Sequence, residues 1–254
     1  MQAEKIVMRR LTVTSIPNAI RHGWGVFSKT KSLSVGFSTV FALIGLLSFV
    51  AIDQAGVAPM ILPVAGGFML LAPILLCGFF AIGDRVEGKQ IAGLSDVYYG
   101  FSRIGRELLA LALVCMLLFL IWITDAATLY GFMVGRTPST LLMPTPQPDK
   151  VWSFMLWSSA MGAVLAFVIY SIAAFAVPLL YYRRAGLVQA VVLSVRTVFS
   201  NFRFCVLWAI LLSASIIGSI LVLPLFLVTL PVLAFASHAL YHELFPEPRV
   251  LSST

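Results

Sequence analysis

Long apolar runs alternate along the chain with short, polar and basic connectors. Six runs reach the roughly 20 residues that an α-helix needs to cross a bilayer. They are 33–52, 57–83, 107–130, 152–181, 204–222 and 225–244. Only a tight turn near Pro224 separates the last two, so two full crossings and one re-entrant hairpin are both open there. Between the runs the pattern changes to helical periodicity. Ile91, Leu94, Tyr98, Phe101, Ile104 and Leu108 recur at steps of three or four, which is one helical face. Leu187, Val191, Val195, Val198 and Phe202 form a second stripe, and Ile16, Ile20, Trp24 and Phe27 a third. Each stripe has basic neighbours, as suits a helix lying in the headgroup layer with its apolar face down.

These pieces repeat. Phe27-Ser28, Phe101-Ser102 and Phe199-Ser200 each stand between an amphipathic stripe and an apolar run. The run that returns the chain carries a proline each time: Pro73, Pro178 and Pro231. Phe37-Ser38 lies outside the pattern, so the dipeptide alone says little and the shared context carries the repeat. The predicted fold is an all-α membrane protein with six transmembrane helices, arranged as three helical hairpins each preceded by a cytoplasmic amphipathic helix. A basic N-terminal segment covers 1–32, one membrane domain covers 33–245, and a short cytoplasmic tail covers 246–254.

Within this frame Trp24, Phe27, Phe101 and Phe199 are expected as interface anchors, where aromatic rings meet headgroups. Pro73, Pro178 and Pro231 are candidates for helix breaks or a cavity. A proline removes a backbone donor, and such a break survives in a membrane only where neighbours or water satisfy the freed groups. A hinge or cavity and a simple packing kink are both open. Ser158, Gly162 and Ala166, and Ala214 with Gly218, place small residues four apart, which lets membrane helices approach closely.

Composition agrees with a membrane assignment. The 254 residues are 60% hydrophobic and only 11% charged, against about a quarter charged in soluble domains. The formal net charge of +7 has a sidedness. Lys5, Arg9, Arg10, Arg21, Lys29, Lys31, Arg85, Lys89, Arg103, Arg106, Arg183, Arg184, Arg196, Arg203 and Arg249 fall on one side of a six-span chain; Arg136 and Lys150 fall on the other. The positive-inside rule then puts both termini in the cytoplasm. Residues 1–32 have no apolar core of the kind a cleaved signal needs, so the first run is expected to be an uncleaved anchor. The basic flanks serve either topology alone or contact with anionic headgroups. No recognition motif supports nucleic-acid binding. The external stretch with Pro138, Pro144, Pro146 and Pro148 favours an extended path, as a spacer or a membrane-facing cap.

Candidate chemistry is sparse. No Asp, Glu, Lys or Arg stands in the middle of a span, which disfavours a proton-coupled pump. Nucleotide-binding glycine loops and a G-x-S-x-G elbow are absent. Cys77, Cys115 and Cys205 are odd in number and widely spaced, and are expected as small packing residues. His238 and His242 are four apart on one helical face but lack the HExxH order. A metal site there needs a further ligand, with His22 or Cys205 as the candidates. Asp84, Arg85, Glu87 and Lys89 read as a solvated, charge-balanced loop. No cofactor is expected.

The chain resembles domain-of-unknown-function family 2189, a bacterial family of predicted integral membrane proteins. The matching residues run in order: Gly23-Trp24 with Phe27, "AGGFMLLAP" with Gly78, Glu87-Gly88, Ser194, Asn201, Trp208, and "PVLAFASHALYHEL". They span roughly 15–245. Where the family pattern often has a tyrosine–acid pair after Gly78, this chain has Phe79-Phe80-Ala81. The resemblance implies a multi-span helical protein of the bacterial inner (plasma) membrane and carries no activity to transfer. The expected function is a non-enzymatic structural or accessory component, working through helix packing, lipid headgroups and a protein partner in the membrane. The alternatives are a carrier or channel for a small neutral or lipophilic solute, and a metal- or haem-binding redox subunit using His22, His238 and His242.

Overall fold

The structure, a computed structural model, describes residues 8–68, 72–135, 138–140, 142 and 147–246. Among them the regular structure is helical: α1 (Ser15–Lys29), α2 (Lys31–Gln54), α3 (Ile61–Phe68), α4 (Ala72–Glu87), α5 (Leu94–Ser102), α6 (Arg106–Met133), α7 (Pro148–Ala173), α8 (Ala176–Tyr181), α9 (Leu187–Ser200), α10 (Phe202–Leu221) and α11 (Leu223–Leu244). Five stretches of these are long and apolar enough to cross a membrane: Lys31–Gln54, Arg106–Met133, Pro148–Tyr181, Phe202–Ser219 and Pro224–Leu244. The expected second span, 57–83, is not among the five; that stretch holds the shorter helices α3 and α4 on either side of residues 69–71, which lie outside the described residues. A short helix precedes a long one three times in chain order: α1 before α2, α5 before α6, and α9 before α10.

The outer faces of α2, α6 and α7 carry exposed Leu47, Leu113, Leu117 and Val164, as expected of helices solvated by lipid. Their inner faces use small or polar groups for close approach. Gly162 lies so near the Trp122 ring that an added Cβ would stand 2.8 Å from it. The Trp122 indole donates to the Pro63 carbonyl at 3.1 Å, tying α6 to α3. Cys77, Cys115 and Cys205 are buried free thiols.

The last two long helices are separated by Val222 alone, and Ser219 and Thr229 hydroxyls bridge them at 2.7 Å. Each has about 20 residues, and at about 1.5 Å per residue each spans about 30 Å, the thickness of the hydrocarbon layer. The described start of the proline-containing connector is anchored: Ala58 N–H donates to the Ser139 carbonyl at 2.9 Å, and Ser139 N–H to the Gly56 carbonyl at 2.7 Å. Pro144 and Pro146 lie outside the described residues.

The three amphipathic stripes have different fates. On α5, Leu94 and Tyr98 face outward at 78% and 76% exposure, while Asp96, Val97 and Gly100 pack on α4. On the α9 stripe the face is divided: Val198 is buried, while Phe202 at its end is exposed. On α1 the stripe turns into the protein. Ile16 and Phe27 are buried, and α1 lies along α11 at Gly23, where an added Cβ would stand 2.4 Å from the Val232 carbonyl oxygen. Phe27, expected at the headgroup layer, is 5% exposed; Trp24 beside it is 54% exposed. The physical reason is that α11 offers a continuous apolar partner, so burial in protein replaces burial in lipid. Phe101 is half-buried and meets Phe37 edge-on at 5.9 Å between ring centres, and Phe199 is exposed.

The prolines also differ. Pro178 lies just past an interruption within the Pro148–Tyr181 stretch. Its ring has no N–H and crowds the carbonyl four residues back, and the helix breaks at Ala174–Phe175. Ser194 of α9 repairs the break, accepting from Phe175 N–H at 3.1 Å and donating to the Ser171 carbonyl at 2.8 Å. Pro231 stays inside the unbroken α11. Pro73 is the second residue of α4, beside the undescribed 69–71.

Candidate metal centre

One end of the bundle gathers ionisable side chains from four places. The C-terminal part of α4 supplies Asp84 and Glu87, the residue after α8 supplies Tyr182, α11 supplies His238 and His242, and α1 supplies His22. Helical spacing explains the aim of each. Cys77, Phe80, Asp84 and Glu87 fall at steps of three or four on α4, and Cys77 and Phe80 are buried. The same face therefore carries Asp84 and Glu87 inward. The expected charge-balanced loop over 84–89 is instead helix up to Glu87. Arg85 points the other way, to Asp96 of α5 at 2.6 Å. His238 and His242 share a face of α11, as the four-residue spacing predicted.

His238 is the centre of the group and is 1% exposed. Its Nε2 lies 2.7 Å from Tyr182 Oη, 3.1 Å from Asp84 Oδ1 and 3.1 Å from His242 Nε2. Tyr182 Oη donates to Asp84 Oδ1 at 2.7 Å. His238 Nδ1 lies 3.5 Å from Glu87 Oε1, and the same oxygen meets His22 Nε2 at 3.1 Å. The ring sits against Phe80, with centres 5.4 Å apart, and over Gly83, where an added Cβ would come within 3.3 Å of Nδ1.

The hydrogen-bond inventory of this arrangement is revealing. Carboxylates only accept, and a neutral imidazole has a single N–H. Both nitrogens of His238 face carboxylates; with the proton on Nδ1, Nε2 can accept from Tyr182 Oη or from His242 Nε2, or bind a second proton or a metal ion. The spacings suit a metal ion. A tetrahedral ion about 2.0–2.1 Å from its ligands spaces them about 3.3 Å apart. The ligand atoms of Asp84, His238 and His242 all lie within 4.8 Å of one another. Glu87 then occupies the position of the carboxylate that orients a metal-bound histidine through its other nitrogen.

The electrostatics fit these roles. The hydrogen bond from His22, and then that from His238, hold the Glu87 carboxyl far below the usual carboxylate range. Burial, reinforced by the Asp84 carboxylate, pushes the Tyr182 phenol far above its usual range, so its hydroxyl keeps the proton that it donates to Asp84.

Of the three histidines singled out in the sequence, the structure brings His238 and His242 together and places His22 one residue further out, beyond Glu87. Cys205 is buried elsewhere, at the start of α10, and does not join the group. The two imidazoles project from one face of one helix, which does not suit them to grip a haem iron from opposite sides. Asp84, Glu87 and Tyr182 were missed. The buried-face register of α4 could have found the two acids; nothing local marks Tyr182, which is adjacent only through the α7–α8 break.

Fold and site together define a multi-span, all-helical integral membrane protein with a polar cluster closing one end of its bundle. The family model described as "Predicted integral membrane protein (DUF2189)" matches residues 61–181, and the relation to that family read from the sequence holds over this part of the chain. The matched part includes Asp84, Glu87 and the span broken at Phe175, while α1 and α11 lie outside it. No curated protein and no solved structure matches the chain.

Proposed function

We propose that the chain is a non-enzymatic accessory protein of the inner membrane whose cytoplasmic end is clamped by one divalent transition-metal ion. It crosses the membrane six times as three hairpins, with α3 and α4 forming the second crossing and both termini in the cytoplasm. The distribution of Lys and Arg supports this orientation. Asp84, His238 and His242 hold the ion, Tyr182 stands beside it, and Glu87 fixes the His238 ring. One observation carries the reading: Asp84, Tyr182 and His242 all crowd around a single nitrogen of buried His238, while Glu87 holds the opposite nitrogen. Two imidazoles and one carboxylate suit zinc, with cobalt or manganese able to replace it. The ion would join α4 to α11 directly, and Glu87 with His22 would extend the joint to α1. Such a joint makes the bundle end rigid and suits a component that works by presenting a fixed surface.

The test is metal analysis of protein purified in mild detergent without chelator, together with the cobalt(II) absorption spectrum after exchange. About one equivalent of metal per chain is expected, lost in Asp84→Asn and in His242→Ala, with a tetrahedral cobalt spectrum in the wild type. Metal-free protein whose thermal midpoint is unmoved by zinc, cobalt or manganese would overturn the proposal.

A further inference from the structure

A cavity of about 590 Å³ lies inside the membrane-spanning part of the bundle, between α7 and α10. Its volume is within the roughly 300–1,000 Å³ of small-molecule sites. The two helices form facing walls: Ser158 to Ala174 on one side and Val206 to Ile217 on the other. Instead of packing closely together, each leans on α3 and α9. From Ser158 to Ala174 the wall is about 24 Å long at about 1.5 Å per residue. One leaflet of hydrocarbon is about 15 Å deep, so the cavity can take a whole chain lengthwise.

Small residues make the space. Ala166, Ala209 and Ala214 stand where larger side chains would fill it, and Gly162 makes room for the Trp122 ring in the wall. Buried Trp122 and Trp208 contribute to the walls, and Phe80 separates the cavity from His238. Pro178 lines it; Pro231 does not. The mouth opens on the apolar outer surface: Ile210 lines the cavity and is itself 60% exposed. The walls are mostly apolar, with the hydroxyls of Ser158, Ser159, Tyr170, Ser213 and Ser237 among them, and in a bilayer the medium at the mouth is hydrocarbon.

We infer that this cavity is a binding site for one acyl chain of a membrane phospholipid, which enters sideways between α7 and α10. The chain replaces the helix–helix contact that the small residues leave unmade. The site stands apart from the metal cluster and does not depend on it.

Trp122 and Trp208 serve as built-in probes. The full chain carrying Trp24→Phe, Trp152→Phe and Trp157→Phe keeps only these two tryptophans. It is reconstituted in vesicles of dibromostearoyl phosphatidylcholine and, separately, of the unbrominated lipid. Bromine quenches indole emission only at close range, so an occupied cavity gives a clear loss of emission in the brominated vesicles. Ala209→Phe and Ser213→Leu, each filling the cavity from α10, restore emission while circular dichroism shows the helices intact. Equal emission in the two lipids overturns the inference, as does quenching that persists in both filled variants. Repeating the measurement with chelator present separates it from the metal proposal, because quenching survives removal of the ion.

Discussion

The hydroxyl of Ser194 takes the place of the helix turn missing at Phe175. It accepts from Phe175 N–H and donates to the Ser171 carbonyl, so one side chain of α9 satisfies both ends of the break between α7 and α8. Beyond the break α8 runs to Tyr181, and Tyr182 directly after it meets Asp84 and His238. A packing detail of one helix therefore helps assemble the polar cluster.

Replacing Ser194 by Ala leaves a buried donor and a buried acceptor unpaired. The expected cost is about 1–3 kcal/mol, read as a lower thermal midpoint in detergent. The variant is also expected to lose metal affinity, since Tyr182 directly follows the short helix that starts at the break. An unchanged midpoint would show that the break closes without Ser194.

The metal cluster predicts a gradation. Asp84→Asn or His242→Ala removes a ligand and abolishes stoichiometric metal. Glu87→Gln removes only the group that orients His238, and lowers zinc affinity by about 10–100-fold. Competition titration with a chromogenic chelator measures both. Equal losses at Asp84 and Glu87 would contradict their separate roles.

Phe27 and Trp24 stand three residues apart and are predicted to behave oppositely. Phe27→Ala opens a cavity under α11 and costs about 3–5 kcal/mol. Trp24→Ala, at the surface, changes stability by about 0.5 kcal/mol or less. Thermal unfolding of the two variants in the same detergent decides the point. A larger loss at Trp24 would restore the view that this stripe anchors to lipid.

The apolar pattern foretold five long helices, because lipid demands a continuous run, but not that the run over 57–83 would hold the shorter α3 and α4. It also marked His238 and His242 as a pair. The acids were harder to place. Asp84 and Glu87 look solvated when read as a charged string, and become inward-facing only when α4 is continued past Gly83 in the register of Cys77 and Phe80. Phe27 misled for a related reason: an amphipathic stripe has one apolar face, and periodicity cannot say whether lipid or another helix will cover it. Tyr182 carries no local mark, because it follows a helix break whose backbone groups are satisfied by Ser194, 19 residues beyond Phe175.

Gly23 is the tightest point of the α1–α11 contact, so Gly23→Leu drives a side chain into the Val232 and Ala236 backbone. Overpacking of this kind costs about 1–3 kcal/mol. Protease should then cut within α1 in detergent-solubilised protein while the long helices stay protected. Resistance equal to wild type would show that α1 docks elsewhere.

Orientation has a direct readout, because the three native thiols are buried. Ser95→Cys on α5 is exposed and is expected to react with a membrane-impermeant maleimide only after cells are opened. Asp149→Cys at the start of α7 is expected to react in intact cells. The reverse result would invert the proposed topology.

The docking of α1 along α11 also sets a timetable for biosynthesis. Arg9 N–H reaches the Leu244 carbonyl at 2.9 Å, and Ser15 bonds Glu243, so the earliest described part of the chain finishes its contacts on the last helix. Ser15 and Glu243 are 228 residues apart, and at about 5–20 residues per second the ribosome takes on the order of eleven to forty-six seconds to connect them. Throughout that interval Ile16 and Phe27 must be sheltered by lipid or a chaperone, and a nascent chain stalled before α11 would still display them to quality control.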